Sequence, residues 1–234
     1  MAHSIRMVGF DADDTLWQNE TFFRLTQEHF TALLADHAER DHLAERLLEA
    51  ERRNLGHYGF GVKGFVLSMI ETAIEVTDGR VPASVIAEIM AAGREMLSHP
   101  IELLPHARAA VEAVAERHPV LLITKGDLLD QERKLAQSGL GDLFHGVEIV
   151  SDKTPEVYRR VFQRHGTAAE FALMVGNSLK SDVLPVIEAG GWGVHVPHGL
   201  TWALDHADPP EGHPRFRTLP DLGALTLMLD EFEH

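Results

Sequence analysis

The chain has 234 residues, enough for one generous domain or two small ones. With 44% hydrophobic and 24% charged residues it has the makings of a buried core and an ordinary soluble surface. A formal net charge of -15 argues against nucleic acid or an anionic membrane as partner, since both call for a basic face, and the absence of cysteine removes disulfides and thiolate metal sites.

The segment Met1 to Arg6 has no signal-peptide core, and no apolar run approaches the length needed to span a bilayer, so a cytoplasmic protein is expected. The first strand is predicted over Met7 to Asp11, ending in Asp11-Ala12-Asp13-Asp14-Thr15. From Trp17 to His99 the pattern is helical. Phe22, Phe23, Phe30, Leu33 and Leu34 recur at helical spacing, as do Leu43, Leu47 and Leu48. Val66, Met69, Ile70, Ala73 and Ile74 make a third stripe, and Val85, Ile86, Ile89 and Met90 a fourth. Gly56, Gly59, Gly61 and Gly64 mark a mobile or tightly turned loop within this run.

Beyond Pro105 strands and helices alternate. Strands are predicted over Val120 to Thr124, Val147 to Val150, Ala172 to Val175 and Gly193 to Val196. Helices are predicted over Ala107 to Arg117, Leu129 to Ser138, Pro155 to His165 and Lys180 to Ala189. Asp205 to Pro214 reads as surface loop, and Leu222 to Phe232 as a final amphipathic helix. Short buried strands alternating with helices specify a Rossmann-like α/β fold, a doubly wound parallel sheet covered on both faces. The first strand belongs to that sheet. The expected organisation is therefore an α/β core of residues 1–16 and 101–234, with an all-helical cap domain, 17–100, inserted as a lid.

Ligands in such sheets bind beyond the carboxyl ends of the strands, and the chemistry-bearing residues cluster there. Residues i and i+2 of a strand point the same way, so Asp11 and Asp13 can converge. Paired carboxylates repel, which invites a divalent cation, a shared proton, or both. One can then be nucleophile and the other general acid. Solvated acidic turns give the same letters, so the rest of the pattern decides. Thr124-Lys125-Gly126 offers a hydroxyl and a Gly-containing turn before a helix, a phosphate cradle or an ordinary cap. Lys153 precedes a helix whose first residue is Pro155; a cation there opposes the helix dipole, which suggests another task. Gly176-Asn177-Ser178 with Asp182 supplies a turn, an amide and a carboxylate at a fourth strand end.

Taken in order, Asp11-x-Asp13-x-Thr15, Thr124, Lys153 and Gly176-Asn177-Ser178 with Asp182 resemble the haloacid dehalogenase-like hydrolase superfamily, most closely its magnesium-dependent phosphatases. The resemblance implies that Asp11 takes the phosphoryl group as an aspartyl-phosphate and that Asp13 protonates the leaving oxygen, then activates water. It implies a magnesium ion held by Asp11, the Asp13 main-chain carbonyl, Asn177 and Asp182. Thr124, Lys125, Gly126 and Lys153 would bind the phosphoryl group. Many members carry Asp where this chain has Asn177, which weakens the charge attraction for the metal.

The helical insertion resembles the superfamily's helical-cap subgroup, in which the cap sets substrate choice. Its segment His57 to Lys63 is the candidate specificity loop, with Lys63 a candidate substrate contact. His195 and His198 read as a solvated loop pair, since no third nitrogen ligand accompanies them. The expected reaction is hydrolysis of a small phosphorylated metabolite. A phosphomutase shares both aspartates. A metal-independent dehalogenase, or a phosphonate hydrolase using Lys63 as a Schiff-base amine, would not need Asp13. A non-catalytic binding module would not need the full set.

Overall fold

The structure, a computed structural model, describes residues 4–232, so the amino-terminal Met1 to His3 lie outside the described residues. The chain divides into two compact units. One takes the chain up to Gln18, Ile101–Lys125 and the chain from Gln131 onward; the other takes Asn19–Pro100 with Gly126–Asp130. The division departs from the expected boundaries at two places. Trp17 and Gln18 stay with the sheet, where Trp17 bridges Leu103, and the five residues after Lys125 join the helices.

The first unit is built on six parallel strands in the order β3-β2-β1-β4-β5-β6. They are β1 (Met7–Phe10), β2 (Val120–Lys125), β3 (Gly146–Val150), β4 (Ala172–Gly176), β5 (Trp192–His195) and β6 (Phe216–Thr218). β1 lies between β2 and β4, with Phe10 opposite both Leu122 and Val175. The chain order reverses here, the switch point at which such sheets leave a crevice.

Strand alternation sorts the core onto two faces. Val8, Phe10, Leu122, Leu173, Val175 and Val194 pack with α5 (Ala107–Ala115) and α9 (Leu225–Asp230). Met7, Leu121, Ile123, Ala172 and Met174 pack with Tyr158, Val161 and Phe162 of α7 (Pro155–Arg164). Gly9 is the one β1 residue without a side chain, and a Cβ there would meet Ile123 and Met174 at 3.0 Å.

β6 was not legible in the sequence, since Phe-Arg-Thr is too short and polar to show a period. The helix expected over Lys180 to Ala189 begins instead as a π-helical turn, Leu179–Val183, and becomes α-helical only over α8 (Leu184–Glu188). Gly193 runs beside Val183, with no room for a Cβ beyond 2.9 Å. The final helix is shorter than expected and starts from a single turn capped by Asp221, which accepts from Gly223 N at 2.7 Å.

The second unit contains α1 (Glu20–Leu33), α2 (Arg40–Tyr58), α3 (Val62–Val76) and α4 (Ala83–Ser98). Phe30, Leu34, Leu43, Leu47, Phe65, Met69, Ala73 and Ile89 form its core. The glycine-rich loop is tightly turned and shorter than the span of its glycines: Gly56 and Gly64 lie inside α2 and α3, and only Gly59, Phe60 and Gly61 join the helices. Gly59 and Gly61 have φ of 71° and 116°, a region that suits glycine. Among the described residues no helix is long and apolar enough to cross a membrane.

Candidate active site

Asp11 is fixed directly after β1 by its N–H, which donates to Val175 O at 2.9 Å. The chain then turns sharply. Ala12 O accepts from Leu16 N at 2.8 Å, and Asp14 takes φ of 60°, a left-handed conformation that aspartate tolerates. The turn brings Thr15 back onto the nucleophile candidate: its hydroxyl donates to Asp11 Oδ2 at 2.9 Å and accepts from Asn177 N at 3.0 Å.

Lys153 has the other task that its place before α7 suggested. Its Nζ lies 2.5 Å from Asp11 Oδ1 and 2.6 Å from Asp182 Oδ1, with the side chain only 1% exposed. The helix it precedes is capped instead by Thr154, which accepts from Val157 N at 3.3 Å. Asp182 Oδ2 accepts from Ser178 N at 3.0 Å. Gly176 makes room for this carboxylate, since a Cβ there would stand 2.2 Å from Asp182 Oδ2. Both oxygens of Asp182 are thus engaged. It anchors Lys153.

One ammonium between two carboxylates leaves negative charge in excess. Burial first, and then the charge of Asp182, push Asp11 from 3.8 up to about 7. Burial is also the largest influence on Lys153 and opposes its charge, yet Asp11 and Asp182 together carry it above the usual lysine range. Lys153 therefore stays charged, and Asp11 bears the deficit of cation.

Asp13 turns its side chain elsewhere. Its Oδ1 accepts from Trp17 Nε1 at 2.7 Å and Lys134 Nζ at 3.0 Å, and its Oδ2 from Gln131 Nε2 at 2.7 Å. Its main-chain oxygen stays at the centre. The side-chain amide of Asn177 lies 3.2 Å from that oxygen, from Asp11 Oδ2 and from Thr15 Oγ1, with its nitrogen as donor.

These positions bear on the expected metal. Among the described residues no three His or acidic side chains form a metal-holding group. The atoms that do converge are one carboxylate oxygen, one main-chain oxygen and one amide that can present its oxygen by rotating. Oxygen donors around an excess negative charge suit a hard divalent cation such as magnesium. The residues fit the ion, with Asn177 as the candidate neutral ligand.

Thr124 ends β2 and is buried, its hydroxyl 3.4 Å from Lys125 O. Lys125 is tied back: its Nζ donates to Ser181 Oγ at 2.8 Å and pairs with Asp205 at 3.1 Å, so it is less available to substrate than expected. Gly126 and Lys63 belong to the helical unit. There Lys63 N donates to Asp127 Oδ2 at 3.2 Å, and Lys63 Nζ lies 3.4 Å from Asp127 Oδ1. The two histidines are engaged rather than solvated. His195 Nε2 lies 3.0 Å from Asn177 O, with burial lowering its pKa, and His198 Nδ1 lies 3.7 Å from Asp14. Trp17, Gln131, Lys134 and Ser181 were not foreseen. Nothing in their local sequence distinguishes them from core or solvent-facing residues.

A profile of haloacid dehalogenase-like hydrolases matches residues 5–190. The chain belongs to this family. A crystal structure of a haloacid dehalogenase-like family hydrolase from Xanthomonas campestris shares 43% identity, covering 98% of this chain and 92% of that one, with a TM-score of 0.89. The hydrolase YfnB from Bacillus subtilis, bound to magnesium, matches at 18% identity over 97% and 99% of the two chains, TM-score 0.69. An L-2-haloacid dehalogenase from Xanthobacter autotrophicus, with chloropropionic acid covalently bound, matches at 19% over 97% and 98%, TM-score 0.63. At these lower identities the likeness is one of fold. No curated protein matches this chain.

Proposed function

We propose that this hydrolase is a phosphatase that cleaves a small-molecule phosphate monoester through an aspartyl-phosphate on Asp11, with magnesium as cofactor. The observation that carries the reading is Asp13. A carboxyl two residues beyond the nucleophile is the group that a leaving oxygen needs for its proton, and three donors fix where it stands. Displacement of halide from carbon has none for it.

Asp11 attacks phosphorus, and the P–O bond to the leaving group breaks as Asp13 gives its proton to the departing oxygen. Asp13, now a base, takes a proton from water as that water attacks the phosphorus of the aspartyl-phosphate, releasing phosphate and restoring Asp11. Lys153 offsets the charge of Asp11 and, with two of its N–H groups on carboxylates, has a third for a phosphoryl oxygen. The Thr124 hydroxyl serves a second. Magnesium, held by Asp11 Oδ2, the Asp13 carbonyl and Asn177, would neutralise charge on the transferring group. Thr15 keeps Asp11 Oδ2 directed at that position.

A dehalogenase is the second reading. It is favoured by one observation: residue 177 is a neutral amide where a carboxylate would attract a metal more strongly. Nothing in the geometry favours a phosphomutase. The two readings separate in one assay of p-nitrophenyl phosphate with magnesium beside L-2-chloropropionate without it. The phosphatase reading expects phosphate release abolished by EDTA and by Asp11→Asn, and no chloride. Chloride release that is indifferent to EDTA would replace it.

A further inference from the structure

The side chain of Asp13 is surrounded more completely than a turn residue requires. Helix α6 (Leu128–Ser138) presents Gln131 and Lys134, three residues apart and so on one face, to its two oxygens. Both are buried, although glutamine and lysine are mostly surface residues. Burying them without a return would be costly. The Gln131 amide is fixed in sense, because its NH2 also donates to Lys125 O at 3.2 Å, which leaves the nitrogen no choice but to face Asp13. Its Oε1 is buried with no hydrogen-bond partner among the described residues. A buried acceptor left without a hydrogen bond calls for an explanation, and this one belongs to a side chain that holds Asp13.

We propose that Gln131 and Lys134 are positioning residues that fix the orientation in which Asp13 transfers its proton. The inference rests on the phosphatase reading. Trp17 Nε1 is the third member, but its ring is also core, so its substitution would mix packing with orientation. Lys134 and Gln131 hold opposite oxygens of the same carboxylate. Loss of Gln131 leaves both remaining donors on Oδ1, and loss of Lys134 leaves one donor on each oxygen, so either change loosens the carboxyl about its terminal bond.

Acid assistance matters most when the leaving group is a poor one. Phenyl and p-nitrophenyl phosphate have nearly the same shape but differ in how far the departing oxygen needs a proton. Their kcat/KM values report the step in which Asp11 is phosphorylated. Gln131→Met and Lys134→Met should lower kcat/KM for phenyl phosphate by about tenfold or more, part of the roughly hundredfold or greater worth of a general acid. The value for p-nitrophenyl phosphate should stay within about threefold, since the nitrophenolate departs with little help. In an Asp13→Asn background neither substitution should add to the discrimination, because residues acting through one group are not additive. If Lys134→Met fails to fold by circular dichroism, Gln131→Met, which removes no charge, carries the test. Equal losses on both substrates, no loss, or a gain in rate would overturn the positioning role while leaving the phosphatase reading intact. Wild-type protein that turns over neither ester in magnesium would instead reject that reading and the inference with it.

Discussion

Lys153→Met removes the cation from a buried cluster while keeping most of its volume. Lys153 and Asp182 have side chains 1% exposed and Asp11 8%, so water cannot replace the lost ammonium. Breaking a buried pair in this way costs about 3–5 kcal/mol, because the partners keep their charge without compensation. Here two carboxylates are stranded, but one can escape by binding a proton. Asp11 already sits at about 7 with Lys153 present. A carboxyl whose folded value is raised binds its proton more tightly folded than unfolded. Its contribution is therefore complete below the unfolded value of 3.8 and is lost as pH rises through about 7. In the variant the folded value rises further, so the loss continues above pH 7 at up to about 1.4 kcal/mol per pH unit for one proton. Urea unfolding followed by tryptophan fluorescence suits the question, since Trp17, Trp192 and Trp202 all lie in the sheet unit. The variant should be least stable relative to wild type at alkaline pH and regain stability on acidification or with magnesium. A loss below about 1 kcal/mol, or one that does not change with pH, would refute the reasoning from buried, uncompensated charge.

Asn177→Asp should tighten magnesium binding by about tenfold, the equivalent of about 1.4 kcal/mol, and lower stability in EDTA; calorimetric titration showing unchanged affinity would remove residue 177 from the metal shell. Gly176→Ala puts a methyl 2.2 Å from Asp182 Oδ2, so turnover should fall and stability drop by about 1–3 kcal/mol of overpacking. Wild-type melting and rate would show that Asp182 is not held there. Lys63 is 57% exposed beside Asp127, and Lys63→Ala should cost no more than about 1 kcal/mol. A raised KM for a substrate with a remote anionic group, with p-nitrophenyl phosphate unaffected, is the expected mark of a specificity role; no effect on either would leave Lys63 a solvated helix-end residue.

The parallel sheet and the four helices of the insertion were legible because strand and helix periods persist over whole segments, as in Val120 to Thr124 or Val66 to Ile74. Residues at strand ends were legible because polar groups interrupt apolar runs: Asp11, Thr124 and Asn177 each follow one. What these residues touch was not. Asp182 looks like a metal ligand from its spacing, but the space left by Gly176 lets its carboxylate turn to Ser178 N and Lys153. Gln131 and Lys134 sit in the polar run Asp130-Gln131-Glu132-Arg133-Lys134, where sequence offers no way to tell a buried polar face from a solvated one. Lys125 is the converse case, a basic residue beside a suspected phosphate cradle whose ammonium goes to Asp205, eighty residues on.

In the proposed reaction phosphorus, and not a carbon of the substrate, receives the attack of Asp11. A single turnover with excess enzyme in heavy-oxygen water tests this directly. The water that resolves an aspartyl-phosphate attacks phosphorus, so with p-nitrophenyl phosphate and magnesium the heavy atom should appear in the released phosphate and not in the peptide containing Asp11. With L-2-chloropropionate, heavy oxygen in the Asp11 carboxylate together with chloride release would mean that water had attacked the carboxyl carbon of an alkyl ester, and the protein would be a dehalogenase.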